Sequence, residues 1–178
     1  MFLRRLKRED GEKMLEWMHD PGVQAGFQQD MMHKTLEDVY RFIEKADITW
    51  ESGSSVHYAI ADERDEYLGT ISLKEIDRQS RHAEYAISLR SAAQGKGTAQ
   101  AATWELLRIA FEEQNLERVY LSVLSDNERA IRLYEKCGFV FEGEFRRHLY
   151  LNGAFKNWRW YGMLREDYQS AKTREVRG

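Results

Sequence analysis

Leu89-Arg90-Ser91-Ala92-Ala93-Gln94-Gly95-Lys96-Gly97-Thr98-Ala99 is the stretch on which the reading of this chain turns. Before it, Ala83 to Leu89 alternates as a half-buried strand does. After it, Gly97 to Phe111 carries Ala99, Ala102, Leu106, Leu107 and Ala110 at three- and four-residue spacing, which is one face of an amphipathic helix. A strand, a loop with two glycines and a helix therefore follow in succession. Glycines let a backbone approach an anion closely, and the amides opening a helix, aided by its dipole, attract negative charge. Gln94, Gly95, Lys96, Gly97, Thr98 and Ala99 are thus candidate anion-binding residues. The spacing fits neither the phosphate loop G-x-x-x-x-G-K-[ST] nor the dinucleotide motif G-x-G-x-x-G, so ATP and NAD are poorly supported. On its own, the pair of glycines reads equally well as a tight turn.

Upstream of Ala83, Met1 to Leu6 reads as a strand. Arg8 to His19 reads as a helix with Met14, Leu15 and Met18 on one face, stopped by Asp20-Pro21-Gly22. A second helix starts at the N-cap Thr35 and runs to about Ala46. Ser55 to Ala61, Tyr67 to Ile76 and Ala83 to Leu89 make an antiparallel meander. Downstream, Arg118 to Leu124 is a strand. Ser125 to Lys136 is a helix opened by a Ser125-x-x-Glu128 capping box and closed by Gly138. Two last strands, near Phe139 to Tyr150 and Phe155 to Leu164, meet at the hairpin signal Asn152-Gly153. The expected order is β-α-α-β-β-β-α-β-α-β-β, an α/β (α+β) fold with a mixed, twisted sheet of about seven strands and about four helices. One domain spans residues 1–168, and the polar stretch 169–178 reads as a frayed tail.

The 178 residues carry 27 Lys and Arg against 30 Asp and Glu, a net charge of −3, which disfavours nucleic-acid binding through bulk charge. With 42% hydrophobic residues the chain can build a core. No apolar run approaches the roughly 18 residues a membrane span requires, and the charged N-terminus lacks the apolar stretch of a signal peptide. Cys137 is the single cysteine. It can form no internal disulfide or cysteine zinc site, and suits a reducing cytoplasm.

A second constellation sits on the later helix, where Asn127, Ala130 and Tyr134 fall at i, i+3 and i+7 on one face. Gln94-x-x-Gly97-x-Ala99 together with Asn127-x-x-Ala-Ile-x-Leu-Tyr-Glu-Lys-x-Gly-Phe139 closely resembles the two cofactor motifs of the GNAT superfamily of N-acetyltransferases. Phe141-Glu-Gly-Glu-Phe-Arg-Arg147 with Asn152-Gly153-Ala-Phe155 is similar, more narrowly, to the branch containing ribosomal-protein N-terminal, spermidine and amino-sugar acetyltransferases. The resemblance covers Leu3 to Tyr168. It implies acetyl transfer from acetyl-CoA to an amine in a ternary complex, with no metal and no covalent acyl-enzyme. It also implies that the strand Ala83 to Leu89 splays from its parallel neighbour Arg118 to Leu124, with pantetheine in the gap against the backbone of Ile87, Ser88 and Leu89. Gln94 to Ala99 then bind the pyrophosphate, Asn127 hydrogen-bonds the pantetheine arm, Ala130 is a further cofactor-binding residue, and Tyr134 sits beside the sulfur. A homodimer is compatible with it.

Amide formation requires a neutral amine, a polarised carbonyl and a proton for the leaving thiolate, which the Tyr134 hydroxyl is suited to supply. Tyr134 also fits a core aromatic on an amphipathic helix. Glu84 is the first candidate for the base, and equally fits a solvent-facing charge. His57, His82 and His148 are weaker candidates, since no spacing aims them at one site. Acceptor recognition is expected from the first two helices and the last hairpin: Trp17, Phe27, Gln28, Gln29 and His33, with Glu16, Asp20 and Asp30 near. A polyamine favours a dense acidic groove; a nucleotide-linked amino sugar favours Arg146, Arg147, Trp158 and Trp160. Arg146-Arg147-His148 also reads as a solvated strand edge. Two other classes stay open: a catalytically silent acetyl-CoA-binding regulatory module, and an interaction domain without cofactor, which the loop glycines disfavour.

Overall fold

Seven strands form a single mixed sheet in the order β1-β2-β3-β4-β5-β7-β6 in a computed structural model that describes residues 1–24, 31–46, 50–51, 53–151 and 153–177. The strands are β1 (Phe2–Arg5), β2 (Val56–Ala61), β3 (Tyr67–Asp77), β4 (His82–Leu89), β5 (Arg118–Leu124), β6 (Val140–Leu151) and β7 (Ala154–Leu164). The expected meander is present, with Ser72 against Ala86 and His57 against Ser72 in antiparallel register. Of the sheet's pairings, β4–β5 alone is parallel, and it is short. It joins His82 to Arg118, Ala83 to Val119 and Glu84 to Tyr120, then stops, although β4 runs on to Leu89 and β5 to Leu124. Beyond that rung the two strands part, and each keeps hydrogen bonds only on its outer side.

The helices are α1 (Gly11–Met18), α2 (Pro21–Gln24), α3 (Leu36–Lys45), α4 (Thr98–Arg108), α5 (Glu128–Cys137) and α6 (Arg165–Arg177). They cover the two faces of the sheet separately. Met14, Trp17, Met18, Val39 and Ile43 of α1 and α3 bury against Ala59 and Tyr67. The larger core joins α4 and α5 to the opposite face: Ala102, Leu106, Leu107, Ile131 and Tyr134 meet Ile71, Leu73, Tyr85, Val119 and Leu121. Leu106 and Leu107 are wholly buried, each contributing about 1.5–3 kcal/mol. The reciprocal box of Thr35 and Asp38 opens α3 as its sequence indicates, with Asp38 N–H donating to Thr35 Oγ1 at 3.2 Å.

One expectation is extended and three are corrected. Asp20-Pro21-Gly22 does end α1, but Pro21 then opens the one-turn α2, since its fixed φ suits a first helical residue. α4 ends at Arg108 and continues as a π-helical turn, Ile109–Glu113, closed by Gln114 N–H to Ile109 O at 2.9 Å. Ser125 does not cap α5: its N–H is held by Asn157 O of β7 at 3.1 Å, which keeps it in the turn that follows β5, two residues short of the cap. Asn127 is the cap instead, its Oδ1 accepting from Ala130 N–H at 3.2 Å. The stretch after Tyr168 continues as helix to Arg177. Tyr168 is buried there, donating to Glu112 at 2.6 Å and stacking on Phe111, and Ala171 is buried as well. With α2 and α6, the described residues hold six helices where about four were expected. Asn152 of the last hairpin lies outside the described residues, and Gly153 takes φ +78° at its turn.

Candidate active site

The parting of β4 and β5 leaves inner backbone edges at Tyr85–Leu89 and Leu121–Leu124 that no strand pairs. Extended edges of this kind can hydrogen-bond an amide-bearing chain laid between them. Ile87, Ser88 and Leu89, which the family resemblance sets against the cofactor, belong to β4 beyond its last rung with β5. At its mouth the chain passes a short turn, Ser91–Ala93, and enters α4 through Gly95 (φ +75°) and Gly97 (φ +78°, the N-cap). A methyl placed on either glycine would meet nothing within 4 Å. Open space therefore faces the loop, and the left-handed backbone is what demands glycine. Residues of the first turn have no preceding helical carbonyl for their amides, so these are free to meet an anion.

Gln94 fixes this loop from both sides. Its Nε2 donates to Leu89 O at 3.1 Å and its Oε1 accepts from Arg129 at 2.6 Å, linking the end of β4 to the first turn of α5. Arg129 was missed in sequence. Nothing in the spacing of 94 and 129 signals that the two meet, and their contact brings a guanidinium beside the glycine loop. Arg90 braces the same corner through Glu16 at 2.7 Å and Glu66 at 3.1 Å.

On α5, Tyr134 buries in the core and Ala130 packs against it, while Asn127 stands at the N-cap. Asn127 spends its oxygen on the cap, which leaves its amide nitrogen as a donor. The Tyr134 ring is 8% exposed and packs edge-on against Tyr85, 5.8 Å between centroids, and Phe139, 6.0 Å. Among the described residues its hydroxyl has no hydrogen-bond partner. Burial, with a smaller effect of Cys137, raises the hydroxyl above its ordinary value of 10.0, so it holds its proton at neutral pH. Cys137 is fully buried one turn away, inaccessible as a nucleophile.

Glu84 stands on the other face. Ala83 and Tyr85 point into the α4–α5 core, so the intervening Glu84 points to the α1–α3 side, at the last paired rung. Its carboxylate lies 3.2 Å from Lys74 Nζ. His57 occupies the same face: its Nδ1 is 2.7 Å from Ser72 Oγ and its ring is edge-on to Phe42 at 4.9 Å. Burial, reinforced by Lys74, pushes its imidazole down to about 4, so it is neutral. His82 packs edge-on to Tyr120 and His148 near Phe145.

The expected acceptor residues divide. Trp17 is core, its indole donating to Tyr67 at 2.9 Å. Glu16 is bound to Arg90, and Asp20 accepts from Ser91. Phe27, Gln28, Gln29 and Asp30 lie outside the described residues. Arg146, Arg147 and His148 are exposed on the edge strand β6, with Arg147 at φ +52° in a bulge. Trp158 is buried, and Trp160 is half-buried beside Tyr120. Among the described residues no group of His, Cys, Asp and Glu could hold a metal ion, and no helix is long and apolar enough to cross a membrane.

Comparisons with known proteins agree with this geometry. Residues 1–140 match the acetyltransferase (GNAT) domain family. The chain is 32% identical to a spermidine N(1)-acetyltransferase of Escherichia coli (strain K12) over 158 residues, 87% of this chain and 81% of the relative. It is 35% identical to a putative ribosomal N-acetyltransferase of Bacillus subtilis (strain 168) over 104 residues, 58% of this chain and 57% of the relative. Among solved structures, a spermidine N-acetyltransferase from Vibrio cholerae in complex with CoA and spermine superposes with a TM-score of 0.85 at 25% identity, covering 94% of this chain and 97% of that one.

Proposed function

Because the chain belongs to the GNAT acetyltransferase family, we propose that it transfers an acetyl group from acetyl-CoA to a primary amine by direct attack in a ternary complex. The observation that carries this is the end of β4–β5 pairing at Glu84–Tyr120, beside a glycine loop that opens α4 and a buried, protonated tyrosine. The residues present fit acetyl-CoA: two open strand edges for the pantetheine amides, and loop amides facing open space for the pyrophosphate. Ile87 to Leu89 and Gln94 to Ala99 hold it there, with Asn127 and Ala130 along the arm. Acetyl-CoA supplies an activated acyl group; no metal takes part.

Glu84 and Tyr134 then divide the proton traffic. Glu84, on the acceptor side, takes the proton from the ammonium, directly or through water, and frees the nitrogen lone pair. Tyr134, on the α5 side, gives its proton to the departing sulfur. The nitrogen sheds its second proton as the C–N bond forms and the C–S bond breaks; that proton passes through solvent to restore Tyr134, and Glu84 releases its own to solvent, which returns the site to its starting charge. The single buried cysteine suits a reducing compartment, and we place the protein in the cytoplasm on that ground.

The test is release of CoA from acetyl-CoA over a panel of primary amines, beside calorimetric binding of acetyl-CoA. Release with at least one amine is expected. Binding of acetyl-CoA with no release for any amine would make the chain a silent regulatory module, the reading that Tyr134 argues against.

A further inference from the structure

The acceptor side of the sheet has two unlike halves. On β3 and β4 it is polar and nearly neutral. Glu84 is tied to Lys74, and Glu75, held at φ +48° in a bulge of β3, is a second carboxylate within electrostatic reach of Tyr120. Glu75 and Glu84 against Lys74 leave one net negative charge, with His57 neutral and Arg118, which also reaches Tyr120, paired with Glu142. Glu16 is paired with Arg90, while Asp20 accepts from the neutral Ser91 hydroxyl and keeps its charge.

Across the gap the same face is aromatic. Tyr120 pairs with Glu84 and lies 5.9 Å from Trp160 at an interplanar angle of 30°. Trp160 lies 5.9 Å from Phe145, which is 49% exposed. The indole N–H of Trp160 meets no acceptor among the described residues.

We propose that the acceptor is a monoamine carrying a ring close to its nitrogen, with the ring against Tyr120, Trp160 and Phe145 and the amine at Glu84. This rests on the acetyl-transfer reading above and adds the acceptor's class. Flat rings, whether aryl groups or the C–H face of a sugar, gain from offset or edge contact with aromatic side chains. One ammonium matches one net negative charge. A flexible polycation meets Lys74 beside Glu84, a like-charge contact that selects against it.

The experiment compares kcat/KM of the full chain for glucosamine, phenylethylamine and spermidine, with acetyl-CoA affinity measured on every variant. At least one ring amine should exceed spermidine, and which of the two does so tells a sugar from an aryl acceptor. Trp160→Leu should lower the ratio of ring amine to spermidine about tenfold, the scale of one aromatic contact, with acetyl-CoA affinity unchanged. Lys74→Glu, a change at a half-exposed side chain that tests the idea even where Trp160→Leu does not fold, should shift the ratio toward spermidine. A preference for spermidine in the unmodified chain, or a ratio unmoved in both folded variants, overturns the acceptor class and leaves acetyl transfer intact. Acetyl-CoA bound with no amine acetylated overturns the transfer reading and the acceptor class with it.

Discussion

Glu84 and Tyr134 stand on opposite faces of the sheet at the point where β4 and β5 part: Glu84 in the last parallel rung, with Tyr120, and Tyr134 against Tyr85, the next residue of β4. A carboxylate and a protonated phenol thus flank one gap. An amine entering from the α1–α3 side and a sulfur lying toward α5 would each meet the group its half of the reaction requires.

Glu84→Gln keeps the size of the side chain and removes its basicity. The acidic limb of the pH–rate profile should change while acetyl-CoA affinity stays near that of the unmodified chain. An unaltered profile would assign the base to water or another residue.

Tyr134→Phe keeps the ring and its packing on Tyr85 and Phe139. Thiols ordinarily ionise near pH ~8.5, so a thiolate already leaves well, and kcat should fall by only about 10- to 100-fold with acetyl-CoA affinity little changed. Because burial raises the tyrosine above 10.0, this proton should not be lost on the alkaline side below about pH 10. Full activity in the folded variant removes the hydroxyl from the mechanism; a pure loss of affinity makes Tyr134 a binding residue.

Gly97→Val puts a branched side chain on a residue at φ +78° and into the space before the loop. The backbone penalty is about 1–2 kcal/mol, which a domain of this size survives. Acetyl-CoA affinity should fall by more than about tenfold, since the pyrophosphate loses its close approach. Calorimetry on the folded variant decides, and unchanged affinity would move the cofactor away from the loop.

Asn127 does two jobs that substitution can separate. Asn127→Ala should cost about 1 kcal/mol of stability through loss of the cap. Asn127→Ser keeps a capping oxygen and loses the amide donor, so it should hold stability while weakening acetyl-CoA binding. Thermal melts and binding on both variants check this; equal affinity in Asn127→Ser and the unmodified chain would confine Asn127 to the cap.

His57 is neutral in the fold, with a pKa of about 4 against an ordinary 6.5. A depressed pKa contributes stability that is present above 6.5 and is lost as pH falls toward 4, because only the unfolded chain takes the proton in that window. The loss by pH 5 should be about 2 kcal/mol. Denaturant titrations at pH 7 and pH 5 should show this difference, and it should be smaller in His57→Gln.

The order of the strands and longer helices, the loop entering α4, and the placing of Asn127, Ala130 and Tyr134 along α5 were all legible in the amino-acid sequence. Each of these follows from interactions within a few residues: side-chain periodicity, the cap at Thr35, and glycines at Gly95, Gly97 and Gly138, whose positive φ the local chain requires. Features that emerge only in the folded chain lie between residues far apart along it. The rung at which Glu84 leaves Tyr120 depends on register across a crossover, and the Gln94–Arg129 contact on how α4 and α5 pack. Ser125 resembles a cap locally but is claimed by Asn157 of β7, so the helix starts at Asn127 instead. Lys74 reaches Glu84 only because β3 and β4 pair, and Trp160 reaches Tyr120 only because β7 lies beside β5. The polar stretch after Tyr168 continues as helix where Tyr168 stacks on Phe111 and Lys172 pairs with Glu112, partners that no pattern within the stretch itself reveals.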